Sequence, residues 1–152
     1  MIQRIQSVYL LLAAVAVVVA ICISIGTYVE ADGITTHVLK PLGISFASGE
    51  FQSTWGLLCL LILSAVIAVT TIFLYHNRML QIRMTIFNAV LLVGYYIAAS
   101  VFIFSLKDGI GDVSFRPGIG LALPAVSIIL CYLAFRGIYR DEVMVKAADR
   151  LR

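Results

Sequence analysis

The stretch YHNRMLQIR, residues 75–83, is a short basic interruption between two long apolar runs. Its cations are Arg78 and Arg83, and about twenty residues on each side carry no charge. An uncharged run of roughly 20 residues is long enough for a helix to cross a hydrocarbon core of about 30 Å. The stretch therefore predicts the place where the chain turns around between two membrane-spanning helices.

The composition supports a membrane protein over its whole length. Of the 152 residues, 62% are hydrophobic and only 12% are charged, whereas soluble domains carry roughly 25% charged residues. Lipid as the surrounding solvent removes the need to cover the surface with charge. The formal net charge of +3 is too small to indicate a nucleic-acid-binding surface, so we expect no nucleic-acid partner.

The apolar runs predict four spans in one integral membrane domain, residues 1–152. They lie at about 8–28, 55–75, 84–106 and 117–135. Pro117 suits the first turn of the fourth helix, and Pro124 is expected to kink that helix. The predicted fold class is an all-α membrane protein, a four-helix antiparallel transmembrane bundle with a small extracytoplasmic β-hairpin and a C-terminal amphipathic tail helix.

The hairpin is predicted in the loop that joins the first two spans, residues 29–54. Within residues 27–38, β-branched residues lie on both sides of Asp32-Gly33, a dipeptide that favours tight turns. The segment VSF at 113–115 can add a strand to this hairpin. The glycines, serines and proline between Pro41 and Gly49 predict an irregular loop.

The tail, residues 136–152, alternates in charge and has a helical apolar pattern. Small or apolar residues recur at i, i+3, i+4 and i+7, namely Met144, Ala147, Ala148 and Leu151. Glu142 and Lys146 lie one helical turn apart and can form an ion pair. We expect the tail to form a short amphipathic helix.

The cations divide unequally between the two sides of this topology. One side receives eight of the 11 Lys and Arg residues: Arg4, Arg78, Arg83, Arg136, Arg140, Lys146, Arg150 and Arg152. The other side receives Lys40, Lys107 and Arg116. Because loops rich in Lys and Arg remain in the cytoplasm, both termini and residues 75–83 are predicted to be cytoplasmic.

No signature of catalysis, cofactor binding or metal binding is found in the sequence. The four spans contain no Asp, Glu, Lys, Arg or His, which argues against a proton-coupled transporter. His37 and His76 are predicted on opposite sides and at the surface, so they cannot share a metal ion. The three cysteines lie in apolar runs without a CxxC pair, and one bridge, between Cys22 and Cys59, remains open.

Asn88 is the most polar residue inside a span. Its amide is predicted to hydrogen-bond across helices, either to the second span or to a partner protein. Gly94, Ala98 and Ser100 of the same span predict a seam for close helix packing.

Three strings resemble a family of small four-span inner-membrane proteins of the Bacteroidota, domain of unknown function 4293. They are MIQRIQSVYLLLA at the start, NRMLQIRM in the basic stretch and LPAVSIILCYLAFRGIYRDEVMVKAADRLR at the end. The resemblance covers the whole chain and implies the inner membrane of a Gram-negative bacterium, with a periplasmic loop and a cytoplasmic tail. It implies no activity. The family pattern includes Arg4, Arg78, Gln81, Arg83, Asp141, Glu142, Asp149 and Arg150.

These observations favour a non-enzymatic accessory or scaffold subunit of a larger inner-membrane assembly, whose partners are membrane lipid and other membrane subunits. The candidate partner-binding residues are Arg78, Gln81, Arg83, Asn88, Arg140, Asp141, Glu142, Met144 and Leu151. The charged residues among them could equally anchor helix ends in anionic headgroups. The alternative function is a small homo-oligomeric transport or small-ligand or lipid-binding protein, which a polar cavity between Pro124 and Asn88 would favour.

Overall fold

The computed structural model describes residues 2–46 and 49–150, apart from the side chains of residues 2–4, 75 and 110. Four long helices dominate it: α1 (Ile2–Cys22), α2 (Trp55–Phe73), α3 (Arg78–Ile110) and α4 (Ile119–Arg150). Each is long and apolar enough to cross a membrane. The chain is mostly helical and has one small antiparallel sheet, as predicted.

The helices form a ring in which each packs on its two neighbours. α1 contacts α2 and α4, and α3 contacts the same two helices. A single 3₁₀ turn, Leu74–His76, connects α2 to α3, so these helices run antiparallel. We call the end where α1 and α3 begin the basic end, and the opposite end the sheet end.

The described cations divide between these two ends as the sequence predicts. The basic end carries Arg78, Arg83, Arg136, Arg140, Lys146 and Arg150, and the sheet end carries Lys40, Lys107 and Arg116. Arg152 lies outside the described residues, as does the side chain of Arg4.

Along α1 and α4, the residues that face the interior are spaced alternately three and four positions apart. On α1 the buried positions Gln6, Leu10, Ala13, Val17 and Ala20 follow this spacing, and Ala14 is buried beside Ala13. On α4 they are Gly120, Pro124, Ser127, Cys131, Ala134 and Ile138. A 3.5-residue period is that of left-handed helix packing, as in coiled coils and most four-helix bundles.

Two predicted helix boundaries are wrong because charge was taken as the end of a helix. α3 begins at Arg78 rather than residue 84, since nothing between Arg78 and Arg83 breaks a helix. α4 continues without interruption through Pro124 to Arg150, so the described part of the tail is helical as predicted, but it is the end of α4 and not a short helix of its own. Charged residues mark where a helix leaves lipid, and the backbone continues beyond that point.

The first and fourth spans differ from the prediction because strand pairing competes with the helix. α1 ends at Cys22 rather than residue 28, since the chain enters a strand at Gly26. Pro117 is the last residue of another strand, and α4 starts after it at Ile119.

The sheet has five strands in the order β4-β3-β2-β1-β5, and all pairs are antiparallel. The strands are β1 (Gly26–Glu30), β2 (Thr36–Lys40), β3 (Gly43–Ser45), β4 (Phe51–Ser53) and β5 (Val113–Pro117). The hairpin β1–β2 and the added strand β5 confirm the prediction. The loop expected over Gly43–Ser45 is wrong, because three residues are too few to show an alternating pattern. Ala47 and Ser48 lie outside the described residues.

One face of the sheet closes the bundle. Ile25, Tyr28, Leu39 and Ile44 are fully buried in one cluster with residues of α1, α2 and α3. The Tyr28 hydroxyl donates a hydrogen bond to the carbonyl oxygen of Ile103 over 3.1 Å. Burial raises the pKa of Tyr28 to about 12, so this donor keeps its proton at physiological pH.

His37 is buried, which corrects the prediction of a surface histidine. It is 3% exposed and lies opposite Tyr28 in the β1–β2 register, on the face that closes the bundle. Its Nε2 lies 2.8 Å from Oε1 of Glu30, and the Phe46 ring packs 5.5 Å away. The sequence shows His37 in a polar loop, but the strand register turns it inward.

At the sheet end, α4 approaches the end of α1 through two glycines. The Gly118 amide donates to the carbonyl oxygen of Ile25 over 2.8 Å. A Cβ on Gly120 would meet the carbonyl oxygen of Ser24 and lie 2.9 Å from that of Ile23. Backbone atoms of a packed neighbour cannot move aside cheaply, so position 120 requires glycine.

We expect Gly120→Ala to lower the free energy of unfolding by about 1–3 kcal/mol through overpacking. Gly94→Ala is the matched control, since a Cβ there meets nothing within 4 Å and should stabilise the helix by up to about 1 kcal/mol. Denaturant titration of both purified variants measures the difference. Equal losses would contradict the role of Gly120 in this contact.

Asp32 gives the β1–β2 turn a pH dependence. The hydroxyl of Thr35 and the backbone amides of Thr35 and Ile34 donate to its carboxylate. These bonds lower the pKa of Asp32 below its usual value. The stability that it contributes is therefore present above its unfolded-state pKa of about 4 and is lost as the pH falls through the lower folded-state pKa.

In hydrogen exchange, protection of the Ile34 and Thr35 amides should decrease on acidification, after correction for intrinsic rates. Asp32→Asn keeps an acceptor for both amides but does not titrate there, so its protection should be independent of pH. The same acid-induced loss in the variant would show that another group is responsible.

Candidate functional site at the basic end

Three of the four α3 candidates lie in its first two turns. Arg78 is half-buried at the start of the helix, Gln81 is buried, and Arg83 is exposed. Gln81 thus faces the bundle interior, and Arg83 faces outward. The two arginines differ in surroundings, although the sequence shows them as one basic stretch.

The α4 candidates lie around a cleft of about 730 Å³. Its lining consists of Arg136, Gly137, Tyr139, Arg140, Asp141, Val143 and Met144. Three of the predicted residues, Arg140, Asp141 and Met144, are brought together here. Glu142 lies outside this lining and pairs with Lys146 over 3.3 Å along the helix surface.

The cleft adjoins the first turns of α1. A Cβ on Gly137 would lie 3.1 Å from Cγ of Gln6, so the absence of a side chain at 137 lets Gln6 pack here. The Gln6 amide Nε2 then donates to Oδ2 of Asp141 over 2.5 Å. Arg136 and Arg140 are exposed, and neither forms an ion pair with a described carboxylate. The cleft therefore contains two cations, Arg136 and Arg140, and one acid, Asp141, whose carboxylate is hydrogen-bonded to the Gln6 amide.

Beyond Glu142, α4 has no further packing against the described bundle. Met144 is 50% exposed, and every residue from 143 to 150 is exposed. The segment 143–150 is roughly 12 Å long at the helical rise. Leu151, the last candidate, lies outside the described residues.

Asn88 is remote from these surfaces. It is 1% exposed, and its Oδ1 accepts a hydrogen bond of 2.7 Å from the Ser64 hydroxyl. Its Nδ2 donates to Sγ of Cys131 over 3.6 Å, and the Ser127 hydroxyl donates to the Ala13 carbonyl over 3.2 Å. The first two bonds connect α2, α3 and α4, and the third connects α4 to α1. The predicted bond to the second span is confirmed.

A separate groove of about 210 Å³ lies between α3 and α4. Its lining is Thr85, Ile86, Ala89, Val90, Ile128, Cys131, Tyr132 and Phe135. This lining is almost entirely apolar and includes neither Asn88 nor Pro124. It is therefore not the polar cavity that would indicate a transport path.

The cysteines and acids form no further candidate site. Cys22 and Cys59 are exposed and unbonded, and Cys131 is buried. Among the residues that the structure describes, no group of three His, Cys, Asp or Glu side chains could hold a metal ion.

Gln6 and Gly137, which position Asp141, are not among the residues that the sequence predicts for this site. A signal was available, because Gln6 lies four residues before Leu10 on the buried face of α1.

The small-residue seam expected on α3 is not used within the chain. Ser100 is exposed and Gly94 has open space beside it, whereas Tyr95 and Ala99 are buried.

We expect Asn88→Ala and Ser64→Ala to be non-additive, with a coupling of about 0.5–1.5 kcal/mol, typical of hydrogen bonds between membrane helices. Ser127→Ala is the control, since Ser127 bonds the Ala13 carbonyl rather than Asn88 or Ser64. Its effect should add to that of Ser64→Ala. Denaturant unfolding of the single and double variants measures both cycles, and additivity of Asn88 with Ser64 would contradict the bond.

A comparison with curated proteins finds no match. The family described as domain of unknown function (DUF4293) matches residues 2–151, which is nearly the whole chain. The match includes all four helices and the sheet, and it confirms the resemblance carried by the two ends and the basic stretch. The chain belongs to the DUF4293 family.

Proposed function

We propose that this protein is a non-enzymatic accessory or scaffold subunit of a larger inner-membrane assembly, and that it docks through the projecting segment of α4, residues 143–150. The observation that carries the proposal is the exposure of apolar side chains on this segment. Val143, Met144 and Val145 extend beyond the bundle and are not covered by any described part of the chain. An exposed apolar helix face is a common docking surface for another protein.

In the proposed topology, the four helices cross the membrane and the basic end is cytoplasmic. The excess of cations at this end supports that orientation. The sheet then lies in the periplasm, and the exposed aromatic side chains of Phe51 and Trp55 suit the headgroup level at that end. α3 and α4 have 33 and 32 residues, or roughly 50 Å each, so they extend beyond a core of about 30 Å.

The shape of α4 favours a protein over the lipid surface as the main contact of its projecting segment. Amphipathic helices that bind lipid lie in the plane of the interface. α4 has no break between its spanning part and Arg150, so its end is directed away from the membrane. Met144, Ala147 and Ala148 share one face of that end, and Lys146 and Asp149 lie on the other side.

The polar groups of the interior support packing rather than transport or catalysis. Both ends of the Asn88 amide are bonded within the chain. The groove between α3 and α4 is apolar. The buried polar residues of the described spans are neutral. Ser64, Asn88 and Ser127 connect helices, and Thr71 and Thr85 bond carbonyl oxygens of their own helices.

Ala147→Gln/Ala148→Gln should reduce recovery of stoichiometric partner subunits at least about tenfold, because two polar side chains then interrupt the docking face. The measurement is gentle detergent purification of the tagged protein from its native membrane, followed by quantitative mass spectrometry. Lys146→Gln/Asp149→Gln is the matched control, because it alters the opposite side of the same helix and leaves the net charge unchanged.

The control variant should retain its partners. Purification of the unmodified chain as a lone oligomer would contradict the scaffold role. Equal loss in both double variants would contradict docking through the Ala147 face. Size-exclusion profiles establish that all variants fold.

A further inference from the structure

We propose that the cleft on α4 and the groove between α3 and α4 form one binding site for an anionic phospholipid. Arg136 and Arg140 would bind the phosphate, and the groove would hold part of an acyl chain. The proposal does not rest on the docking role proposed for residues 143–150, although Val143 and Met144 border both surfaces. It specifies one bound lipid, which differs from general attraction of basic residues to a charged membrane surface.

The head portion of the site is defined by charge. Arg136 and Arg140 lie one turn apart on α4, so both guanidinium groups project on the same side of the helix. No described carboxylate forms an ion pair with either. Asp141, the acid in the lining, already accepts the amide of Gln6. Paired guanidinium groups have the planar donor geometry that binds phosphate oxygens strongly.

The chain portion of the site is apolar and accessible from the lipid side. Val90 is 63% exposed, and Tyr132 and Ile86 are exposed beside it. From Phe135 to Ile128 the groove follows α4 for roughly 10 Å, toward the middle of the bundle. This is the region that acyl chains occupy when the basic end lies at the headgroups.

Two stacked aromatic rings connect the cleft, which is the head portion of the site, to the groove, which is its chain portion. Phe135 lines the groove and Tyr139 lines the cleft, and their ring centroids are 5.9 Å apart with an interplanar angle of 27°. Arg136 and Arg140 lie at the same level of α4 as the two rings, and the apolar groove continues from that level toward the middle of the bundle. A phospholipid whose phosphate binds the two arginines would extend its acyl chain in the same direction. Free phosphate would occupy only the cleft, which is why the groove favours lipid.

The test is native mass spectrometry of the full-length protein in mild detergent with added phosphatidylglycerol, phosphatidylcholine of the same chains, or glycerol phosphate. We expect one phosphatidylglycerol per chain and at least about tenfold weaker binding of phosphatidylcholine, because a charged bidentate contact distinguishes them. Arg136→Gln/Arg140→Gln should remove this preference. Arg136→Lys/Arg140→Lys should restore part of it.

Two matched controls separate a built site from diffuse attraction. Arg78→Gln/Arg83→Gln removes the same charge from the basic end outside the cleft, and phosphatidylglycerol binding should persist. Val90→Trp fills the groove and should weaken binding, whereas Val101→Trp, on an exposed position nearer the sheet end, should not. Melting temperatures confirm that each variant is folded.

Three results would overturn the proposal. Equal binding of both phospholipids would exclude recognition of charge, and equal loss in the Arg78/Arg83 variant would indicate a diffuse surface effect. Competition by glycerol phosphate as strong as that by phosphatidylglycerol would indicate a free-phosphate site. Ala147→Gln/Ala148→Gln should bind lipid normally, so loss of the protein partner and loss of the lipid are distinguishable.

Discussion

The close approach of α1 and α4 is the contact on which the rest of the structure depends. Lipid is as apolar as a helix surface, so membrane helices associate through tight packing and hydrogen bonds rather than the hydrophobic effect. Here Gly120 lies against the backbone of Ser24, Ser127 bonds the Ala13 carbonyl, and Gly137 lies against Gln6. The contact therefore runs from the sheet end to the basic end and closes the ring of four helices.

This contact also determines where the sheet forms. β1 follows α1 and β5 precedes α4, so bringing the two helices together places these strands side by side. Their pairing sets Tyr28 opposite Phe115, whose rings lie 5.0 Å apart. The strands between α1 and α2 then add on the other edge of β1. The sheet thus closes the bundle because the helix contact aligns β1 with the edge strand β5.

The sequence predicts the parts of this fold that depend on local pattern. Uncharged runs identify four helices, and Asp32-Gly33 identifies the hairpin. The helix ends are not predicted, because charge at Arg78 or Arg136 reports exposure to water and not the end of backbone hydrogen bonding. The burial of His37 depends on strand register, and the bond between Gln6 and Asp141 joins residues at opposite ends of the chain. The spacing of Gln6 from Leu10 indicates that Gln6 faces inward, but neither the strand register nor the pairing of Gln6 with Asp141 leaves a local signal. At the basic end, the sequence identifies the charged residues but not the cleft that brings three of them together.

The two proposed surfaces share one helix, and their arrangement follows from its continuity. Arg140 and Met144 lie one turn apart, so a lipid phosphate bound at the cleft would lie close to the first residues of the projecting segment. The same region is attached to α1 through Gln6 and Asp141. A ligand can shift a conformational equilibrium only by its difference in affinity for the two states. A change in the direction of the projecting segment on lipid binding would therefore require displacement of Gln6 from Asp141. If that bond persists, the lipid and the protein partner bind a single rigid helix, and any coupling between them arises from direct contact at residues 140–144.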